Sequence, residues 1–237
     1  MVETEQNWKT VQKIGGIVAL ILLCYSLVTM ILLMTIGGQP GNAQAGFDML
    51  AQNRLAGLLR LDLLTILIIP LYYLLFLGFF TALRKTQPAI IAIAALLGCA
   101  GVTLVLATPS AFSWLALSDK FAGASSEAQK NLLLAAGEAI LASDLWHGSG
   151  ALMGGLLMQT GTLLVSIIML RSTAFSKLTA WVGVATHGLD LLHILVGFIF
   201  PAGGVVLMMI AGPLYLVWFP LLARDFFWLG RSNSTKS

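Results

Sequence analysis

All three histidines of this chain lie inside or at the edge of long apolar runs, and several acids lie with them. Asp190 sits in THGLDLLHI between His187 and His193, Asp62 in LLRLDLL, and Asp144 in SDLWHGSG just before His147. An ionised carboxylate near the centre of a membrane helix costs about 2.5–3.5 kcal/mol on insertion scales, so it needs a partner, a proton or a cavity. Such a residue is a candidate for binding a ligand or an ion, or for passing a proton. On a helix, residues three apart are separated by about 60°, which puts Asp190 at the centre of an arc flanked by His187 and His193, with Thr186 and Gly197 near the same face. Rising about 1.5 Å per residue from Lys177, the helix carries His187 to roughly the midplane and His193 further towards the outer side. Arg60, Asp62, Asp144 and His147 are expected near the outer ends of the second and fourth spans. There they would meet His193 in one outward-facing polar pocket. The plainer readings are a hydrogen-bond network between helices for Asp190, and interfacial residues touching water for the other four.

Other chemistries fit less well. A catalytic zinc usually has three protein ligands and an open position for water. His147, Asp190 and His193 supply that count as weak metal candidates. Intramembrane hydrolases of the ceramidase and adiponectin-receptor type place two histidines about one turn apart on a late helix. Here His187 and His193 are six apart and diverge by about 120°, so metal-dependent hydrolysis is the alternative reading rather than the leading one. The paired-histidine spacing of membrane cytochromes b is missing. So are a nucleophile elbow, a phosphate loop and a nucleotide fingerprint. No catalytic residue or cofactor is named by the sequence. Cys24 and Cys99 fall in apolar runs, where thiols pack as small hydrophobes.

The elements that must position these residues follow from composition. Of 237 residues, 58% are hydrophobic and only 10% are charged, against about 25% charged in a soluble domain. That surface cannot be clothed in water, so the lipid bilayer is the first partner. Each crossing needs roughly 20 apolar residues. Six spans are expected, at about 14–36, 58–83, 88–108, 146–170, 177–200 and 203–222, forming a single all-α transmembrane domain over 14–230. A cytoplasmic segment, 1–13, precedes it and a disordered tail, 231–237, follows. Pro70 is expected to bend the second span, and Pro201-Ala202-Gly203-Gly204 to form a tight turn before the sixth. Between spans three and four, Ser125-Ser126-Glu127 marks the start of an amphipathic helix on the outer surface.

The net charge of +3 comes from basic residues scattered between apolar runs, which is a topology signal. No stretch is dense enough to track phosphates, which excludes nucleic acid as a partner. Lys9, Lys13, Arg84, Lys85, Arg171, Lys177, Arg224, Arg231 and Lys236 fall on one side, and Arg54, Arg60, Lys120 and Lys130 on the other. The excess places both termini in the cytoplasm, in a cell membrane. Trp8, Trp114, Trp146, Trp181 and Trp228 are expected at membrane edges. Lipid tails are as apolar as leucine, so close backbone approach and polar contacts must hold the helices together. The fourth span carries Gly148, Gly150, Gly154, Gly155 and Gly161 together with Gln159, and Gly150, Gly154 and Gln159 are the packing candidates.

The stretch GALMGGLLMQTGTLLVSIIMLRSTAFSKLTAWVGVATHGLDLLHILVGF joins this glycine-rich helix, through an Arg/Ser linker, to a fifth helix that opens Leu-Thr-Ala-Trp-Val-Gly. In layout the chain resembles the bacterial six-helix membrane proteins grouped as domain of unknown function 4386, most specifically over Gly148 to Leu222. Phe175-Ser176-Lys177 stands where such proteins often carry a proline. The resemblance implies the six-helix fold and carries over no functional residue. The leading functional expectation is binding of a small ligand, lipid or partner subunit through the His/Asp pocket. Metal-dependent hydrolysis and a structural role in a larger membrane complex stand as alternatives.

Overall fold

Inside hydrocarbon, backbone N–H and C=O groups have no water to bond, so apolar stretches satisfy them internally as helices. The computed structural model describes residues 2–108, 110–145 and 147–231, and among these there is no strand. In chain order the helices are α1 (Val2–Thr35), α2 (Ala43–Gln52), α3 (Arg54–Arg60), α4 (Leu63–Ile68), α5 (Leu71–Leu83) and α6 (Pro88–Leu106). They continue with α7 (Ala111–Ala122), α8 (Glu127–Leu141), α9 (Ser149–Arg171), α10 (Lys177–Ile199) and α11 (Pro201–Arg231). Six segments are long and apolar enough to cross a membrane: Gln6–Thr35, Leu63–Leu83, Pro88–Ala122, Ser149–Arg171, Lys177–Ile199 and Pro201–Arg231. The protein is an all-α, multi-pass membrane protein.

Several boundaries differ from the sequence expectation, each for a local reason. Pro70 has no N–H to donate, so the hydrogen-bond ladder lapses between α4 and α5, yet Ile69 and Pro70 keep right-handed helical dihedrals and Leu63–Leu83 remains one span. The expected Pro201–Gly204 turn is helical. Proline suits the first position of a helix, where its missing N–H is not needed, so α11 begins at Pro201 and the reversal is confined to Phe200 (φ −140°, ψ 84°). The sixth helix also runs to Arg231, well past Leu222, and contains Pro213 and Pro220. Where one amphipathic helix was expected there are two, α7 and α8. The second starts at Glu127 as read, with the Ser126 side chain accepting from the Gln129 amide. Met1, Trp146 and the tail 232–237 lie outside the described residues.

The chain forms two compact units. The first comprises residues 1–27, 70–103 and 154–237, and the second 28–69 and 104–153.

In the first unit, small residues bring backbones together. A methyl group added at Gly101 would come within 2.6 Å of the Gly154 carbonyl oxygen and the Met158 amide. One added at Gly161 would come within 2.6 Å of the Ala94 carbonyl oxygen and 2.8 Å of the Gly98 amide. Helices α6 and α9 are thus in backbone contact over about two turns, the small-residue packing that substitutes for the hydrophobic effect in lipid. At the end where α11 finishes, Phe79, Phe175 and Phe226 pack together, with Phe226 5.5 Å from Phe79 and 5.2 Å from Phe175 between ring centres. Gly15 and Gly78 face the tip of the same Phe226 ring. The outward faces carry bare apolar side chains such as Leu96, Met209 and Ile199.

The second unit has a core of the soluble kind. Phe47 of α2 stacks on Phe121 at 4.6 Å and meets Trp114 edge-on at 5.5 Å, and Ala43, Met49, Leu50, Leu61 and Ala111 complete the cluster. Trp114 is fully buried there, and Gly46 leaves room for its ring. Trp181 and Trp228 are exposed, and Trp8 lies under the Arg84 guanidinium at 4.6 Å. Gly150 approaches the Thr108 methyl group within this unit.

Gly161→Ala should therefore destabilise the protein by about 1–3 kcal/mol, the usual range for overpacking, because the new methyl meets backbone rather than a movable side chain. Gly188, with nothing within 4 Å of an added methyl, is the control, where Ala should be neutral or stabilising by up to about 1 kcal/mol. Thermal unfolding in detergent reads both; equal melting temperatures would dissociate the α6–α9 contact from stability.

Candidate functional site

A buried carboxylate must collect hydrogen-bond donors, and the type of donor distinguishes a structural acid from one held for other purposes. Asp62, 1% exposed, accepts from the backbone amides of Ser110 (2.5 Å) and Ala111 (2.9 Å) and from the Ser110 hydroxyl (3.3 Å). It caps the start of α7, where the first amides have no partner within the helix. Asp144, equally buried, accepts from the His147 amide at 3.0 Å, and the His147 Nδ1 lies 2.9 Å from the same oxygen. Arg60 donates from Nε to the Gly38 carbonyl at 2.8 Å, beside Gly37, whose φ of +87° is a glycine conformation. These four sequence candidates belong to the second unit and are engaged in ending and starting its helices.

Asp190 differs. It lies in the interior of α10, where every amide already has a helical partner, and all the donors recorded on it are side chains. Gln159 of α9 donates from Nε2 to its Oδ2 at 3.0 Å, and the Tyr215 hydroxyl of α11 donates to the same oxygen. The carboxylate thus fixes the Gln159 amide: nitrogen faces Asp190, so Oε1 faces His187 and accepts from its Nδ1 at 2.7 Å. His187 consequently carries its proton on Nδ1. Its Nε2, a bare acceptor, is buried without a partner among the described residues. The ring is 2% exposed and meets Trp218 edge-on at 4.5 Å. Tyr72 of α5 is within electrostatic reach of Asp190, Tyr215 and Tyr25 of α1.

The second oxygen of Asp190 has a different environment. Oδ1 is 3.7 Å from Nδ1 of His193, too long for a hydrogen bond, and that Nδ1 has no partner among the described residues. The His193 side chain is 28% exposed and the Asp190 side chain 12%. An acceptor and a buried, unpartnered imidazole nitrogen therefore stand side by side at one edge of the network, on side chains that are partly exposed. A hydroxyl or amine can bridge them. Thr186, expected near this face, instead returns its hydroxyl to the Val182 carbonyl at 2.7 Å.

The structure brings together Asp190, His187, His193 and Gln159 in the first unit. Gln159 was read from sequence as a packing residue, and Tyr215 was not singled out at all. A phenol three residues before Trp218 in GPLYLVW gives no local signal of an acid on another helix. Asp225 was missed as well. It is 6% exposed and accepts on Oδ2 from the Ser176 amide (2.8 Å) and the Thr179 hydroxyl (2.5 Å). These two bonds anchor the start of α10 to α11, while on Oδ1 the carboxylate accepts from its helix neighbour Arg224, at Nε (2.9 Å) and Nη2 (2.7 Å). Among the described residues no group of three His, Cys, Asp or Glu side chains is placed to hold a metal ion, including the weak candidates His147, Asp190 and His193. The sequence matches no family model, no curated protein and no solved structure.

Asp62→Ala leaves the Ser110 and Ala111 amides without their cap and should cost about 1–2 kcal/mol, with faster hydrogen exchange concentrated at the start of α7. Asp62→Asn should recover part of this. Unchanged exchange in the alanine variant would show that α7 starts without help from Asp62.

Proposed function

We propose that this protein binds a small ligand or lipid within the membrane through Asp190 and His193, on a platform made by Gln159, His187 and Tyr215. The observation that supports this reading most strongly is the contrast among the buried acids. Asp62, Asp144 and Asp225 each accept a backbone amide near a helix start, whereas Asp190 sits mid-helix with side-chain donors only. A carboxylate there is costly. Its two side-chain donors hold one oxygen and leave the other beside an unpartnered imidazole nitrogen.

The ligand class follows from these two atoms. Oδ1 accepts, so the ligand presents an O–H or N–H; the imidazole either accepts or donates according to its tautomer. A hydroxyl or primary amine on an otherwise apolar molecule fits both atoms. The expected outer pocket with Arg60, Asp62, Asp144 and His147 is not needed by this site. Membership of the six-helix family named above and the cytoplasmic placement of both termini in a cell membrane belong to the same proposal. The family assignment rests on the glycine-rich fourth span and the opening of the fifth, and the orientation on the nine-to-four distribution of basic residues.

Asp190→Asn is the informative substitution. The asparagine oxygen can take over the Gln159 and Tyr215 bonds while its nitrogen faces His193, so the fold is retained and only the free acceptor is lost. Native mass spectrometry of the detergent-purified protein should show an added mass that falls at least tenfold in occupancy in Asp190→Asn and in His193→Ala. Full occupancy in both variants would remove this pair from the site.

A further inference from the structure

A second place in the first unit is built for a ligand of opposite character. Where α9, α10 and α11 end or begin, a cavity of about 310 Å³ lies between the 173–176 linker and the residues Arg224, Asp225 and Trp228. Its size is at the lower end for small-molecule sites, about 300–1,000 Å³. We propose that it holds the phosphate headgroup of an anionic phospholipid from the adjoining leaflet.

Charge and exposure point to an anion. Both oxygens of Asp225 are consumed by four donors, and its side chain is only 8% exposed, whereas that of Arg224 is 56% exposed. The pair therefore turns its negative member inward and its guanidinium outward. Arg224 is also held in place: Nη2 reaches the Ser176 hydroxyl at 2.9 Å as well as Asp225. Nη1 has no partner among the described residues. A fixed guanidinium loses little freedom on binding and matches the geometry of a phosphate. Arg171 closes α9 two residues before Thr173, and Lys177 opens α10 directly after Ser176. Three basic side chains against one buried carboxylate leave this corner with an excess of positive charge. Basic pockets between membrane helices attract anionic headgroups for this reason.

The surroundings favour a lipid over a free anion. The site lies at the ends of three spans, Arg171, Lys177 and Arg231, which is headgroup depth. Trp228 on the cavity wall is 60% exposed, and Leu178 and Trp181 on the first turns of α10 are 58% and 61% exposed. An indole beside a charged pocket suits the membrane interface, and the neighbouring apolar side chains offer a track for an acyl chain.

The test titrates the full-length protein in detergent with phosphatidylglycerol or phosphatidylcholine of identical chains, with bound lipid counted by native mass spectrometry. The wild type should prefer phosphatidylglycerol at least tenfold. Arg224→Gln should abolish the preference and Arg224→Lys should keep part of it. Ala174→Trp fills the cavity without touching the polar contacts and should abolish it with an unchanged melting temperature in lipid-free detergent. Asp190→Asn should leave it intact, which separates this site from the one proposed above. Equal binding of the two lipids by the wild type, or a preference that survives both Arg224→Gln and Ala174→Trp, would overturn the proposal. Inorganic phosphate binding as tightly as the lipid would reassign the cavity to a free anion.

Discussion

In a bilayer a buried carboxylate cannot borrow hydrogen bonds from water, and the arrangement of this protein turns on where its acids find their donors. Two of them, Asp62 and Asp225, reach across 46–49 residues of chain to the first amides and hydroxyls of other helices. Each satisfies two needs together, because the unpaired amides at a helix start require acceptors as much as the carboxylate requires donors. The starts of α7 and α10 are thereby fixed to distant parts of the chain. Asp190 has no such amides within reach and recruits Gln159 and Tyr215 from neighbouring helices instead. Its position then dictates the orientation of the glutamine amide and, through it, the tautomer of His187.

This polar centre needs helices held close enough for short side chains to meet. The glycine contacts between α6 and α9 provide that on one side, with backbone against backbone at Gly101 and Gly161. On another side, Gly204 of α11 lies against Gly197 of α10, where a methyl group would sit 2.8 Å from the neighbouring Cα. Small residues therefore do for the first unit what the Phe47–Trp114–Phe121 stack does for the second: they set distances. The first relies on close backbone approach, the second on removal of aromatic surface from water or lipid.

Much of this was legible in the sequence. Charge scarcity and run length are properties of composition, so the all-α, multi-pass class and the six spans could be read directly. The α8 start was also readable, because its Ser-Glu signal is local. The misread boundaries share a cause. Arg224 and Asp225 interrupt the apolar run and look like its end, yet Asp225 is buried because its donors come from Ser176, Thr179 and Arg224. Pro201 looks like a turn residue until its place at the first position of a helix is known. At the candidate site, Asp190 and its histidines were visible because they share one helix face. Gln159 and Tyr215 were invisible as their partners because they lie 31 and 25 residues away on other helices.

The reversal at Phe200 joins helices of 23 and 31 residues through a single non-helical residue. With no loop to speak of, α10 and α11 form a tight helical hairpin, in which Gly204 lies against Gly197 and the His193 carbonyl. Asp190 is on one arm and Tyr215 on the other, so the acid and the phenol that donates to it belong to the same hairpin. A mid-helix acid is thus paired with its donor across a one-residue connection between two spans, and a longer loop there would loosen the geometry that solvates it.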